Sequence, residues 1–317
     1  MMLNIKISKF ISILKNAFKT EDSRFYLSVG LKVTGISFAI TTVVYFFVIE
    51  VIRLNYAFFK SKGFPELDDP EMFFDLVTDE ALNNVPVLLM FHVFLFFIGF
   101  YAGWLILRPF RTLGEYSEQA INDENAIYHV EQFNAYGLLT RFSEHFFNFL
   151  RDSRKANMIS TRSVPPQYLG IHKPVFDYVF MLQFGILLVI IALSVGVFII
   201  ENASNVYYTM VELALKSLTD QKSVAKYMLG QSFIVDDIAI LTISLIFFGY
   251  LALGLHLYTK VAGAAFGIFS TMRAFMKGNY SSRVHLLGFS YVREYTRKIN
   301  KYLDYIQKNF SKDTSKK

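Results

Sequence analysis

The stretch FFGYLALGLHLYTKVAGAAFGIFSTMRAFMKGNYSSRV, residues 247–284, followed by YVREYTRKINKYLDYI, residues 291–306, decides the reading of this chain. It opens as an apolar run suited to a membrane and passes without a helix breaker into a more polar sequence. Ile268, Met272, Phe275 and Met276 then recur at helical spacing, as do Val292, Tyr295, Ile299, Tyr302 and Ile306 in the second piece. Gly278 and Asn279 between them supply a helix stop. The pattern predicts membrane helix, amphipathic helix, connector and second amphipathic helix, with two apolar seams that need partners.

Working outward, apolar residues gather in four blocks, 33–52, 86–107, 175–200 and 234–258, each long enough to span hydrocarbon. The chain has 317 residues, 34 Phe, 19 Tyr and no Cys, with a formal net charge of +6. No long polar domain is left over for an enzyme, and no Walker loop, GxSxG, HExxH or kinase signature is present. We therefore expect no catalytic residues, cofactor or metal. The charge is uneven: loop one holds Glu66, Asp68, Asp69, Glu71, Asp75, Asp79 and Glu80, while basic residues flank the other side of the blocks. That asymmetry predicts a multi-pass protein with both termini cytoplasmic, and argues against nucleic acid. Lys6, Lys9, Lys15 and Lys19 beside Ile7, Phe10, Ile11 and Leu14 make the N-terminal arm an amphipathic segment suited to anionic lipid.

The chain also reads as a tandem duplication. Phe97, Gly99, Ala102, Leu105 and Leu107 match Phe247, Gly249, Ala252, Leu255 and Leu257 about 150 residues later, and Gly35-Ile36 matches Gly185-Ile186. After block two, Pro109 lies just beyond Arg108, Leu113 and Ile121 continue one seam, and Leu139, Phe142, Phe146 and Phe149 form another. Asn122-Asp123 takes the turn position that Lys277-Gly278 holds in the second copy.

The second copy resembles the HAMP linker, the module below a membrane helix in bacterial receptors. The matching residues are Lys277-Gly278-Asn279-Tyr280, Arg283-Val284 at the start of the connector, Glu294 at the acidic position opening the second helix, and Ile299-Asn300 where the family has Phe-Asn. Ala264 departs from the family's proline, which the first copy supplies as Pro109. The resemblance implies a parallel four-helix bundle, normally made by two chains, and a signalling role in the bacterial inner membrane.

The expected fold is thus all-α: four transmembrane helices in a 2+2 duplication, with HAMP-like helix pairs joined in a bundle. Its segments are a basic arm (1–30), hairpin one with its acidic loop (31–108), helix pair one (109–150), a linker (151–173), hairpin two (174–260), helix pair two (261–306) and a polar tail (307–317). The expected seam is Leu113, Ile121, Phe142, Phe146, Ile268, Met276, Tyr295 and Ile299. Two assemblies fit, a monomer with pseudo-two-fold symmetry or a homodimer. Candidate functional residues are His92, Asp237, Pro109, Gly278 and Glu294. His92 inside a span reads either as a proton or ligand sensor or as a neutral imidazole bonded to a neighbouring helix. Asp236 and Asp237 read as snorkelling carboxylates, as a cation site or as partners of Arg53. The continuous helix from span to seam predicts a relay that engages a cytoplasmic or membrane protein partner; a static scaffold, and less so a small transporter, are the alternatives.

Overall fold

In a computed structural model, residues 20–61, 84–129, 136–217, 226 and 233–311 are described, and among them every regular element is helical. The expectations for the arm before residue 20 and for the acidic residues of loop one fall outside these residues. Four helices dominate: α1 (Glu21–Ser61), α2 (Val85–Asn122), α5 (Tyr178–Ser217) and α6 (Phe233–Met276). All four are long and apolar enough to cross a membrane, which reads as a multi-pass membrane protein. Between 28% and 39% of each apolar window is buried within the chain. The remaining faces, with Phe46, Met90, Phe94, Leu193 and Phe248 pointing outward, suit hydrocarbon better than water.

Three shorter helices accompany them among the described residues. They are α3 (Gly137–Lys155), α4 (Pro166–Leu169) and α7 (Arg293–Phe310), the last preceded by a single 3-10 turn, Ser290–Val292. The helices run past the expected boundaries. α1 begins at Glu21, so residues 21–30, expected as the end of the arm, already belong to it. α2 continues through Pro109, α5 continues to Ser217, and α7 extends beyond Ile306 to Phe310. Their starts follow local chemistry. Asp177 Oδ1 accepts the N–H groups of Val179 and Phe180 at the head of α5, which satisfies donors that no earlier carbonyl reaches. Glu21 and Asp22 place negative charge in the first turn of α1. α6 ends where Gly278 adopts φ +102°, with Gly278 N–H on Phe275 O and Asn279 N–H on Ala274 O.

The chain divides into two compact units. One takes 30–99 and 187–253; the other takes 1–29, 100–186 and 254–317. The first is a packing of apolar helix segments. α1 meets α2 at Gly99, where a Cβ would fall 2.9 Å from Gly30 Cα, and meets α6 where the Tyr250 hydroxyl donates to Val33 O at 3.1 Å. α2 meets α5 through Phe91 stacked on Phe198, ring centroids 3.9 Å apart.

The second unit has an aromatic core. Phe142 of α3 packs edge-on to Phe269 of α6 at 4.6 Å, and Phe146 meets Phe275 at 6.1 Å. Tyr116 of α2 lies 4.5 Å from Phe147 of α3, which in turn faces Tyr302 of α7 at 6.3 Å. α2 approaches α7 so closely at Gly114 that a Cβ there would sit 3.0 Å from Tyr295 Cα.

Burial follows an offset of 155 residues. Ala102, Ile106, Phe110, Leu113, Ser117 and Ala120 of α2 are buried, and so are Leu257, Val261, Ala265, Ile268, Met272 and Phe275 of α6. Val29, Val33, Ile40, Val44 and Val48 of α1 correspond in the same way to Phe184, Leu188, Val195, Ile199 and Ala203 of α5. Every buried position of α7 lies 156 residues after a buried position of α3. At the offset of 150 residues, Phe97 and Phe247 are both exposed and Leu107 and Leu257 both buried, whereas Ala102 and Leu105 are buried and Ala252 and Leu255 exposed. Five residues turn an α-helix by about 140°.

Candidate functional site

Two polar junctions and one connector in the unit holding α3 and α7 are where side chains from distant segments converge. The first junction joins α1, α2 and α7. Asp22 Oδ2 accepts hydrogen bonds from the Tyr295 hydroxyl at 3.0 Å and the Tyr26 hydroxyl at 3.3 Å. Arg111 of α2 donates to Tyr26 and lies over the ring of Trp104, 5.0 Å from its centroid. Arg293 pairs with Glu21 at 2.7 Å. Gly103 makes room for this, since a Cβ there would fall 3.0 Å from Tyr26 Cα.

The second junction joins α3, α5 and α6. The Tyr136 and Tyr258 hydroxyls both donate to Val175 O, and Asp177 N–H donates to the Tyr258 oxygen at 2.7 Å. Asp177 Oδ2 accepts the Gly137 N–H that opens α3. One carboxylate thus holds the first turns of two helices. Burial pushes the Tyr136 phenol well above its usual range, so it remains a donor throughout the ordinary pH scale.

The connector between α6 and α7 is fastened on both sides. Asn300 donates to Val284 O at 3.0 Å and accepts Val284 N–H at 2.8 Å. Arg283 reaches Asp304 at 2.7 Å, Gln307 and the carbonyls of Tyr280 and Ser282. On α6, Gly263 and Gly267 leave notches filled by Phe289 and Leu286. The residues quoted for the resemblance at Arg283, Val284 and Asn300 are therefore the ones that bond the connector to α7.

Of the expected seam, Leu113, Phe142, Phe146, Ile268, Met276, Tyr295 and Ile299 are buried in this unit. Ile121 is not in the core. It lies one residue from the end of α2, half-buried in a surface cleft beside Glu118, Asn122, Lys298 and Lys301. Lys298 bonds Glu118 at 2.8 Å, and that bond raises its pKa. Pro109 is buried within α2, and Glu294 is exposed in the first turn of α7, 3.9 Å from Lys298.

His92 belongs to the other unit. Its Nδ1 faces Leu88 O at 2.7 Å, where it donates, and its Nε2 lies 3.4 Å from the Ser37 hydroxyl. Both ring nitrogens therefore have partners. Asp236 and Asp237 are exposed at the start of α6, and Arg53 bonds Glu50 at 2.7 Å. Among the described residues no group of His, Asp and Glu side chains could hold a metal.

Sequence reasoning missed Asp22, Tyr26, Arg111, Tyr136, Asp177 and Tyr258. The available signal was an Asp just before or inside the first turn of each odd-numbered span, with Tyr or Arg at the matching end of the next one. Comparison with family models, with curated proteins and with solved structures finds no match for this chain.

Proposed function

We propose that this protein is a membrane relay, in which displacement of the spans shifts the packing of α2, α3, α6 and α7, and a separate protein reads that shift. One observation carries the reading: α6 is a single helix from Phe233 to Met276, so its apolar part and its part of the aromatic core move as one rod. α2 does the same from Val85 to Asn122. On this reading the chain is a duplicated HAMP-like protein whose two helix pairs form one bundle within a monomer. The 155-residue periodicity of burial and the bonding of Arg283, Val284 and Asn300 support that assignment. A covalently joined partner helix pair has a high effective concentration, which favours the intramolecular bundle over a homodimer. The charge asymmetry supports a bacterial inner membrane location with both termini in the cytoplasm.

A static scaffold is favoured by one feature. The linker after α3 crosses the ends of α6 and α7, with Arg162 N–H on Met276 O and Ile159 N–H on Phe310 O. Those bonds tie the far ends of the core together.

The lack of cysteine makes the test direct. Ser143→Cys with Met272→Cys puts thiols on facing positions of α3 and α6, where the native Oγ and Sδ are 3.6 Å apart. The pair is reconstituted in bilayers of short and long acyl chains, which shift the spans by hydrophobic mismatch. A relay gives a disulfide-formation rate that changes with bilayer thickness, and inserting Gly-Gly after Thr259 abolishes that dependence. A rate independent of thickness refutes the relay and leaves the scaffold.

A further inference from the structure

The connector between α6 and α7 ends in an apolar tip that none of the described residues covers. Leu287 is 93% exposed, while its neighbours on both sides are seated: Leu286 in the notch at Gly267 and Phe289 in the notch at Gly263. Gly288, at φ +82°, turns the backbone between them. The tip is therefore held at a fixed height along α6.

That height follows from helix geometry. Lys260 is the first charged residue after the apolar run of α6. At a rise of about 1.5 Å per residue, Gly263 lies roughly 5 Å and Gly267 roughly 10 Å beyond it. The headgroup layer extends about 5–8 Å past the hydrocarbon on each side. Leu287, between those two notches, falls at the boundary of that layer. The surrounding aromatics mark the same level: Tyr291 donates to Lys260 O at 3.2 Å and stacks on Phe25 at 4.6 Å, and Tyr258 packs on Phe176 at 5.1 Å. Charge fits as well. Residues 284–293, around the tip, contain His285 and Arg293 and no Asp or Glu; Arg293 is paired with Glu21.

We propose that Leu287 and the part of the connector around it, residues 284–293, rest in the headgroup region of an anionic bilayer, a second membrane contact beyond the four spans. An apolar side chain held at that depth gains burial that water does not offer, and basic residues near it gain from anionic lipid. The contact places the connector, and through Asn300 the helix α7, in touch with lipid composition. It does not depend on the relay reading.

The test uses the full chain with Leu287→Cys, labelled with an environment-sensitive fluorophore, in phosphatidylcholine vesicles with and without phosphatidylglycerol. Leu287 touches nothing that the substitution would disturb. Lys277→Cys, exposed near the far end of α6, is the reference. The expected result is a blue-shifted emission at residue 287, several-fold stronger quenching by a lipid with its nitroxide near the headgroup, and several-fold weaker quenching by iodide than at residue 277. Phosphatidylglycerol strengthens the contrast. Iodide access equal to that of residue 277 overturns the proposal. So does protection from both quenchers, which would show a protein covering the tip.

Discussion

The packing of α3 against α6 inside one chain is best tested at Phe142 and Phe269. Both rings are fully buried, 4.6 Å apart and inclined at 70°, the edge-to-face arrangement that favours the ring quadrupoles. Tyr168 adds a third ring, 5.0 Å from Phe142, and the Arg273 guanidinium lies 5.2 Å from the centre of Phe269. Leucine at either position keeps most of the apolar volume, so each single change costs about 1–1.5 kcal/mol. The edge-to-face pair itself contributes about 0.5–1.5 kcal/mol beyond area, and either substitution removes it. The double variant should therefore be less destabilised than the sum of the singles by about 0.5–1.5 kcal/mol. Reversible unfolding by SDS titration from mild-detergent micelles measures all four corners of this cycle. The midpoint should not vary with protein concentration, because an intramolecular core has no mass-action term. Additivity within about 0.3 kcal/mol refutes the contact. A concentration-dependent midpoint assigns the packing to two chains instead.

Three further outcomes follow from the same geometry. Tyr295→Phe removes one of the bonds that Asp22 accepts and keeps the ring packed on Gly114; it should cost about 1–3 kcal/mol and shift the emission of Trp104, the sole tryptophan, through its neighbour Arg111. Asn300→Ala strands both the N–H and the C=O of Val284, should cost about 1–3 kcal/mol, and should speed hydrogen exchange through the connector relative to α3. His145 has a buried Nε2 without a partner, and burial, with the charge of Arg162, lowers its pKa. The fold therefore prefers the neutral ring while the unfolded chain takes a proton near pH 6.5. Stability is full above that pH and falls as pH drops through the lower folded value. In SDS titrations between pH 7 and 5, His145→Gln should flatten that decline, and an unchanged slope would remove His145 as its source.

The four spans were legible because an apolar run of span length has few other meanings. Their ends were not, because Glu50, Arg53 and Asn55, or Glu201 and Asn202, are polar yet do nothing to stop a helix. The seams at Phe142, Phe146, Ile268 and Ile299 were legible for the opposite reason: polar residues between them show which face is hidden. Within the spans that contrast is missing. Phe, Gly, Ala and Leu face lipid and protein alike, so identities such as Ala102 with Ala252 carried no information about direction. The junctions were illegible because Asp22 and Tyr295 are far apart in the chain, and no local pattern links them.

The two junctions occupy related places, yet they differ in what would have to break for a helix to move. Asp177 spends both carboxylate oxygens on backbone N–H groups, at the first turn of α5 and the first turn of α3. Sliding α3 past α5 would unwind a helix start. Asp22 is met from α7 by a side chain, the Tyr295 phenol, and within α1 by the Tyr26 phenol, with the Arg111 guanidinium of α2 behind Tyr26. Those groups can part and be re-solvated without any backbone bond being lost, at about 1–3 kcal/mol for a bond to a charged acceptor. A relay driven through the bundle would therefore yield first between α1 and α7, the helix that also carries the connector, while α3 and α5 stay clamped. Asp177→Asn should then damage folding itself, whereas Asp22→Asn should leave the fold and alter only how α7 responds to the bilayer.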